Sequence, residues 1–393
     1  MRYAIPALAC AAFVAGALAV GAAAVTPGEA KALLRVASRL AGLDVKRAVP
    51  VVSEQPASFR VRRVKALDRQ YPMSAQSYDE ELYRALGLAS RNGALRKALG
   101  GTQAHVSLYD PVTRTAYVQA GSNRRAALLH ELVHALQDQH FDLRRLALLN
   151  GRRDASLAAA AAVEGHATLV AGVLAEGHGG RSVLGHTAER LREFLNLEAS
   201  FATTTGLRFS AGLRNLGGNK AVFGSLRRFP ETTEQIFHVD KFLARERALP
   251  IILPVSVGAL ELADDDTFGE LDVRALLAVF SVPRLDHVGE GWGGGRSALY
   301  RDAEGDATVL VALDWDTPHD AAQWEEAVQV YINEAFDADR PGFPETTPCG
   351  ATLCWQIGAR AIAFQRVGVH TALALGRTPA DTEAVALAVV PNS

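Results

Sequence analysis

Two histidines and a glutamate lie within one short segment, His130-Glu131-Leu132-Val133-His134. In an α-helix, residues i and i+4 lie on one face about one turn apart, so both imidazoles can direct a ring nitrogen at one metal ion. Imidazole is a common ligand of Zn²⁺, and a carboxylate beside the metal can take a proton from a metal-bound water. The spacing therefore predicts a Zn²⁺ site at His130 and His134, with Glu131 as the general base. The alternative is a surface helix that carries these residues on its solvated face.

The surrounding sequence predicts the helix that this geometry needs. Ser122 or Asn123 can cap its first turn. Alternating runs at 104–109 and 115–120, joined through Asp110-Pro111, predict a β-hairpin just before the helix. Apolar residues recur at helical spacing and give the helix one aliphatic side: Leu128, Leu129, Leu132, Val133 and Leu136.

A catalytic zinc ion usually has a third protein ligand and an open position for water. Glu164 is the best candidate, because it lies in a predicted alanine-rich helix that Asp154 can cap, after the break at Asn150-Gly151. If the chain reverses at this break, the helices are antiparallel and Glu164 comes level with the histidines to within about one turn. A carboxylate among alanines also needs a partner such as a metal ion. His166 and Glu176 are weaker alternatives.

The motif and its downstream glutamate resemble those of the thermolysin-like zincins, the gluzincins. The longer string from His130 to Phe141 is similar to a group of exported, largely uncharacterised prokaryotic proteins that are predicted zinc metallopeptidases. The resemblance covers most of the chain from about residue 100. Five further blocks match blocks of that group, in the same order along the chain: Leu108-Tyr109-Asp110-Pro111, Val163-Glu164-Gly165, Pro230 with the run Thr233 to His238, Gly291-Trp292-Gly293-Gly294, and Asp314-Trp315-Asp316-Thr317.

The resemblance implies an α+β, zincin-like fold, in which the helix with the histidine motif packs against a second metal-ligand helix. A mixed α/β part would follow towards the C-terminus. It implies zinc-dependent hydrolysis of peptide bonds in a peptide or protein substrate, with a strand of the hairpin lining the cleft and pairing with extended peptide. Two departures concern contacts around the site. The related group tends to have aspartate where this chain has His166 and Gly295.

His238 lies at the end of one of the resembling blocks, and thermolysin-like enzymes place a histidine from a later segment opposite the metal helix. We therefore predict that His238 stabilises the oxyanion formed during hydrolysis. The alternative is a helix-capping or core histidine. Asp138, one turn beyond His134, is expected either to orient a metal ligand or to lie on a solvated helix face.

The N-terminus and the cysteines predict an exported protein. Arg2 precedes an uncharged apolar run at 4–25 that ends in small residues, which is typical of a signal peptide or of an N-terminal membrane anchor. We expect a periplasmic, cell-surface or extracellular location. Beyond this run only Cys349 and Cys354 remain, and a disulfide between them suits an oxidising compartment; two reduced thiols are the alternative. The net charge of −2 argues against nucleic-acid binding.

We divide the chain into a leader or anchor (1–25), an N-terminal region (26–100), a metal-binding core (101–250) and a mixed α/β C-terminal region (251–393). Within the N-terminal region we expect helices at 28–43 and 78–99 and a strand near 59–64. The function expected is an exported zinc metallopeptidase. The rival functions are a non-catalytic surface or binding protein that keeps a zincin fold, and a zinc hydrolase that acts on a non-peptide substrate.

Overall fold

The structure is a computed structural model that describes residues 25–90, 92–101, 106–121, 124–149, 152–172, 187–336 and 346–390. The helices are α1 (Pro27–Ala41), α2 (Pro56–Gln70), α3 (Met73–Ala85), α4 (Ala94–Gly101), α5 (Arg124–Phe141), α6 (Arg153–Ala171), α7 (Thr187–Arg227), α8 (Glu234–Phe237), α9 (Val239–Ala244), α10 (Glu270–Val279), α11 (Leu285–Glu290), α12 (Pro318–Phe336) and α13 (Pro379–Ala388), with a 3₁₀ helix at Leu143–Leu149. The strands are β1 (Val51–Glu54), β2 (Ser107–Asp110), β3 (Thr115–Gln119), β4 (Ser256–Val257), β5 (Leu260–Thr267), β6 (Trp292–Arg301), β7 (Ala307–Trp315), β8 (Leu353–Ile357), β9 (Arg360–Val367) and β10 (His370–Gly376). The protein thus combines helices and strands, as an α+β protein does.

The described chain forms two compact units that interleave along the sequence. The first contains the described residues of Met1–Met73, Gly100–Val183 and Asn196–Glu246. The second contains those of Ser74–Leu99, Leu184–Leu195 and Arg247–Ser393. The leader predicted at 1–25 lies outside the described residues except for Val25. None of the described helices combines the length and apolar composition needed to cross a bilayer.

The first unit contains a three-stranded sheet in the order β1-β3-β2. The hairpin predicted before the motif is confirmed: β2 pairs antiparallel with β3, with Tyr109 opposite Ala116. Asp110 forms its turn by accepting the backbone N–H of Val112 at 2.9 Å, and Arg114 adopts a positive φ of 55°. β1 pairs parallel with β3 on the other side. Among the described strands, β2 is therefore an edge of this sheet.

The strand predicted near 59–64 is wrong, because these residues lie in helix α2. Pro56 occupies its first turn, where the missing N–H of proline costs no hydrogen bond. α2 buries Phe59 against Leu108 and Tyr117 of the hairpin. The strand of this region is β1, which ends two residues before α2.

The core of the first unit is formed by α1, α5, α6 and the sheet. One side of α5 carries Leu132 and Leu136 into this core, where they join Leu34 of α1, Val118 of β3 and Val163 of α6. Fully burying a leucine side chain stabilises a fold by about 1.5–3 kcal/mol. The aliphatic side of the motif helix is therefore anchored on three elements.

The second unit contains a seven-stranded sheet in the order β4-β5-β6-β7-β10-β9-β8, with every neighbouring pair antiparallel. Side chains alternate between the faces of a strand. Leu310 and Ala312 of β7 share a buried cluster with Val385 of α13. Trp315 lies on the other face of β7 and packs against Trp324 of α12, with ring centroids 5.7 Å apart. Helices thus cover both faces of the sheet.

The predicted disulfide is present in the second unit. Cys349 and Cys354 are joined by an S–S bond of 2.08 Å. Cys354 lies on β8, so the bond fastens the preceding loop to the edge strand of the seven-stranded sheet.

Candidate metal centre

Helix α5 carries the motif within the interior of the first unit. His130, Glu131 and His134 are each no more than 3% exposed, so the alternative of a solvated surface helix does not apply. The aliphatic side of α5 packs in the core described above, and the histidines point towards helix α6. Burial of polar groups without partners is costly, so three such residues in one place need an explanation.

The structure brings the three predicted metal ligands together. His130 Nε2 lies 3.0 Å from His134 Nε2 and 3.1 Å from Glu164 Oε2, and His134 Nε2 lies 3.4 Å from Glu164 Oε1. Zinc bound at about 2.0–2.2 Å from each ligand atom places tetrahedral ligand atoms about 3.3 Å apart. The three donors therefore have the spacing of three corners of a zinc tetrahedron.

The hydrogen bonding of these side chains is incomplete in a way that suits a bound cation. Glu164 is fully buried, yet its Oε1 has no hydrogen-bond partner among the described residues. The two Nε2 atoms face each other, and an imidazole pair in this arrangement can share only one proton at a time. A Zn²⁺ ion would satisfy both nitrogens and the carboxylate at once. His130, His134 and Glu164 thus fit the metal that the motif predicts.

Helix α6 positions Glu164 through a close packing of small residues. Its alanines at 158–162 are fully buried. A Cβ on Gly165 would lie 2.0 Å from the backbone oxygen of Gly206 in α7, and one on Gly206 would lie 2.2 Å from the oxygen of Ala161. The backbones of α6 and α7 therefore touch directly beside Glu164. Asp154, in the first turn of α6, accepts hydrogen bonds from the backbone N–H and the hydroxyl of Thr233.

Glu131 lies beside the ligands as a buried carboxylate. Burial raises its pKa above the ordinary value of 4.5, and the neighbouring His134 and His130 offset part of this effect. The hydroxyl of Ser107, on strand β2, donates to Glu131 Oε1 at 2.8 Å. Ser107 belongs to no recognisable sequence pattern, because the contact joins a hairpin residue to a helix residue 24 positions later.

His134 contacts a second residue that sequence reasoning missed. Its Nδ1 lies 2.8 Å from Oε1 of Gln137, which is fully buried. The Gln137 amide nitrogen lies 2.8 Å from Nδ1 of His166. His166 is thus not one of the ligand group, and burial, with smaller contributions from His134 and Arg214, lowers its pKa to about 3. Glu176, the other alternative ligand, lies outside the described residues.

Asp138 belongs to the structural support of α5. Its carboxylate accepts hydrogen bonds from the hydroxyl of Tyr109, a guanidinium N–H of Arg47 and the backbone N–H of Leu143. It is 5% exposed, so neither sequence expectation for it is correct. The residue of this part of the helix that contacts His134 is Gln137.

His238 lies between α8 and α9, and its backbone N–H donates to the carbonyl of Glu234 at 2.8 Å. Its partly buried ring packs near Phe237, with centroids 6.4 Å apart. It is not part of the ligand group. The block that contains it is fastened to α6 through Thr233 and Asp154.

Packing explains why a glycine occupies position 295, where the group that the sequence resembles tends to have aspartate. Gly295 lies on β6, and a Cβ there would meet the backbone oxygen of Phe268 at 2.1 Å and a side-chain carbon of Leu313 at 2.7 Å. No carboxylate fits this position without movement of the backbone.

The protonation of His134 leads to a prediction about pH. Burial is the largest single influence and disfavours the charged ring, but Glu164, with smaller contributions from Glu131 and Gln137, outweighs it and raises the pKa of His134 from 6.5 to about 9 in the metal-free protein. Zinc requires the unprotonated ring, so below this pKa it must displace a proton. We expect the affinity for zinc to rise about tenfold per pH unit up to about pH 9 and then to level off. Chelator competition across this pH range measures the slope, and a flat profile would contradict the assignment.

Comparison with known proteins concerns a different part of the chain. Residues 259–386 match a family described as a Domain of unknown function (DUF8575). This segment extends from β5 to α13 and holds all of the seven-stranded sheet except β4. Searches of curated proteins and of solved structures found no match. The chain is therefore similar to this family through its sheet-containing segment, which does not include His130, His134 or Glu164.

Proposed function

We propose that this protein is an exported, zinc-dependent metallopeptidase with a zincin-like arrangement in its first unit. The observation that carries the proposal is the convergence of His130 Nε2, His134 Nε2 and the Glu164 carboxylate, with Glu131 buried beside them. A structural zinc site is usually closed by four protein ligands. Three protein ligands beside an acid–base residue are instead the arrangement of a catalytic site.

The chain's own residues divide the chemistry between them. His130, His134 and Glu164 would hold a zinc ion, which would supply a Lewis acid able to polarise a carbonyl and to lower the pKa of a bound water to about 7. Glu131 takes a proton from the attacking water and delivers it to the leaving amine. Ser107 holds one oxygen of Glu131 and so fixes the direction of the carboxylate. The buried setting strengthens each of these interactions because little water screens them.

A peptide substrate is supported by the position of strand β2. It is an edge strand among the described residues, and edge strands can pair with an extended peptide through backbone hydrogen bonds. Ser107 of this same strand touches Glu131. A peptide paired along β2 would therefore pass close to the general base.

A digest of a peptide library by the full chain tests this function. We expect new peptide termini with zinc present, none after chelation, and recovery when zinc is returned. Zinc bound at one ion per chain without any cleavage would favour a non-catalytic protein. Hydrolysis confined to esters or other non-peptide substrates would favour a zinc hydrolase that does not act on peptides.

His238→Ala is expected to lower kcat about a hundredfold with zinc content unchanged, because one preorganised donor to an oxyanion contributes about 3–4 kcal/mol. The proposal rests on the attachment of its block to α6 and on the resemblance described above. His319→Ala is the matched control, since this exposed ring contacts Gln323 of its own helix. An unchanged rate in the His238 variant would return this residue to a structural role.

A further inference from the structure

Gln137 joins the helix that carries the two histidines to the helix that carries the glutamate. Its side chain is fully buried and extends from α5 to α6. The amide oxygen lies 2.8 Å from His134 Nδ1. The amide nitrogen lies 2.9 Å from the backbone oxygen of Val163 and 2.8 Å from His166 Nδ1. One side chain thus contacts a metal histidine and the residues on both sides of Glu164.

The partners of Gln137 fix which way its amide faces. A backbone carbonyl can only accept, so the atom beside Val163 must be the amide nitrogen. The amide oxygen then faces His134, and because an oxygen of this type can only accept, His134 Nδ1 must carry the hydrogen. In the neutral ring the lone pair is left on Nε2, the atom that faces His130 and Glu164.

The second amide hydrogen of Gln137 accounts for His166. It is directed at His166 Nδ1, which must therefore act as an acceptor. The carbonyl of Val163 and His166 Nδ1 together accept both hydrogens of the Gln137 amide. If the amide rotated by half a turn, both hydrogen bonds would be lost, and the amide oxygen would face two acceptors. His166 and the carbonyl of Val163 thus hold Gln137 in a single orientation.

We propose that Gln137 is a positioning residue of the metal site, which holds His134 in the tautomer that presents Nε2 to the metal and is itself held by His166. This inference rests on the proposed zinc site but not on peptide cleavage. Removing a residue that contacts a metal ligand, but not the metal itself, typically lowers metal affinity or activity 10–100-fold.

Gln139 offers a matched control on the same helix. It is also buried, and its amide accepts from the backbone N–H groups of Lys46 and Arg47 and donates to the carbonyl of Arg47. It therefore has as many hydrogen bonds as Gln137, but they hold a loop rather than a metal histidine. Gln137→Met and Gln139→Met remove the same groups and keep a similar volume.

The experiment measures zinc affinity by chelator competition, together with thermal unfolding of the metal-free full chain. We expect Gln137→Met to weaken zinc binding 10–100-fold, and Gln139→Met to lower the unfolding midpoint while leaving zinc affinity within about twofold. Equal zinc affinity in Gln137→Met and the wild type would overturn the proposal, as would equal weakening in both variants. If the wild type binds zinc but cleaves no peptide, the proposed function fails and this comparison still decides the role of Gln137. If the wild type binds no zinc, the proposed function and the proposed role of Gln137 both fail.

A second pair of variants tests the part played by His166. His166→Asn keeps an acceptor near the position of Nδ1, whereas His166→Phe keeps a ring without an acceptor. We expect zinc affinity close to that of the wild type in the first variant and a loss of several-fold in the second. Nitrogen NMR of the zinc-loaded wild type should show a hydrogen on His134 Nδ1. A hydrogen on Nε2 instead would overturn the proposal.

Discussion

Replacing Glu131 with glutamine is expected to lower kcat about 10²- to 10⁴-fold while zinc content and thermal stability stay unchanged. The amide has the size of the carboxylate and can still accept the hydrogen bond of Ser107 through its oxygen. It cannot take a proton, so the attacking water loses its general base. The kcat is measured with a peptide that the wild type cleaves, and the zinc content by metal analysis of the same sample.

Glu231→Gln is the control for this substitution, because Glu231 is exposed and pairs with Arg228 on the surface. Near-normal turnover in the Glu131 variant would remove Glu131 from the mechanism. Loss of zinc from it would instead mean that the carboxylate supports the metal directly.

The second large effect is expected on zinc binding when Glu164 is replaced. Glu164→Ala leaves two imidazoles, which hold an ion poorly, so the zinc content should fall from one ion per chain to near zero. The loss should exceed the 10–100-fold that removal of an outer partner causes. Breaking a buried ion pair by removing one partner costs about 3–5 kcal/mol, so this variant also tests the stability of the metal-free fold.

Glu164→Gln separates the two effects, because it keeps the volume and one acceptor oxygen but weakens the ligand. We expect a folded protein with much reduced zinc affinity. His166→Asn, two positions away on the same helix, should bind zinc normally. The opposite pattern would show that the register of α6 against α5 differs from the one described.

The local patterns in the sequence were sufficient to predict the cluster of His130, His134 and Glu164 and the elements that carry it. The spacing of His130 and His134, the carboxylate of Glu164 among alanines and the hairpin before the motif all depend on neighbours within a few residues. The disulfide between Cys349 and Cys354 is of the same kind. Each of these groupings occurs in the structure.

What could not be predicted depends on contacts between distant segments. Gln137 has no special spacing, because the partners that give it a role lie 26 and 29 residues later. Ser107 reaches Glu131 only after the hairpin has packed on α5. The described residues of 74–99 and 184–195 belong to the second unit, and this too depends on tertiary packing. The strand predicted near 59–64 is wrong for a local reason, because Pro56 begins a helix there.

The glycine pair between α6 and α7 has a consequence for how this site can change during evolution. At most contacts in a core, a larger residue on one side can be accommodated by a smaller one on the other. Gly165 and Gly206 already have the smallest side chains available, and the atoms that they approach belong to the backbone. A substitution at either position therefore has no compensating substitution at its partner. The helix that presents Glu164 is therefore held at two positions where only glycine fits.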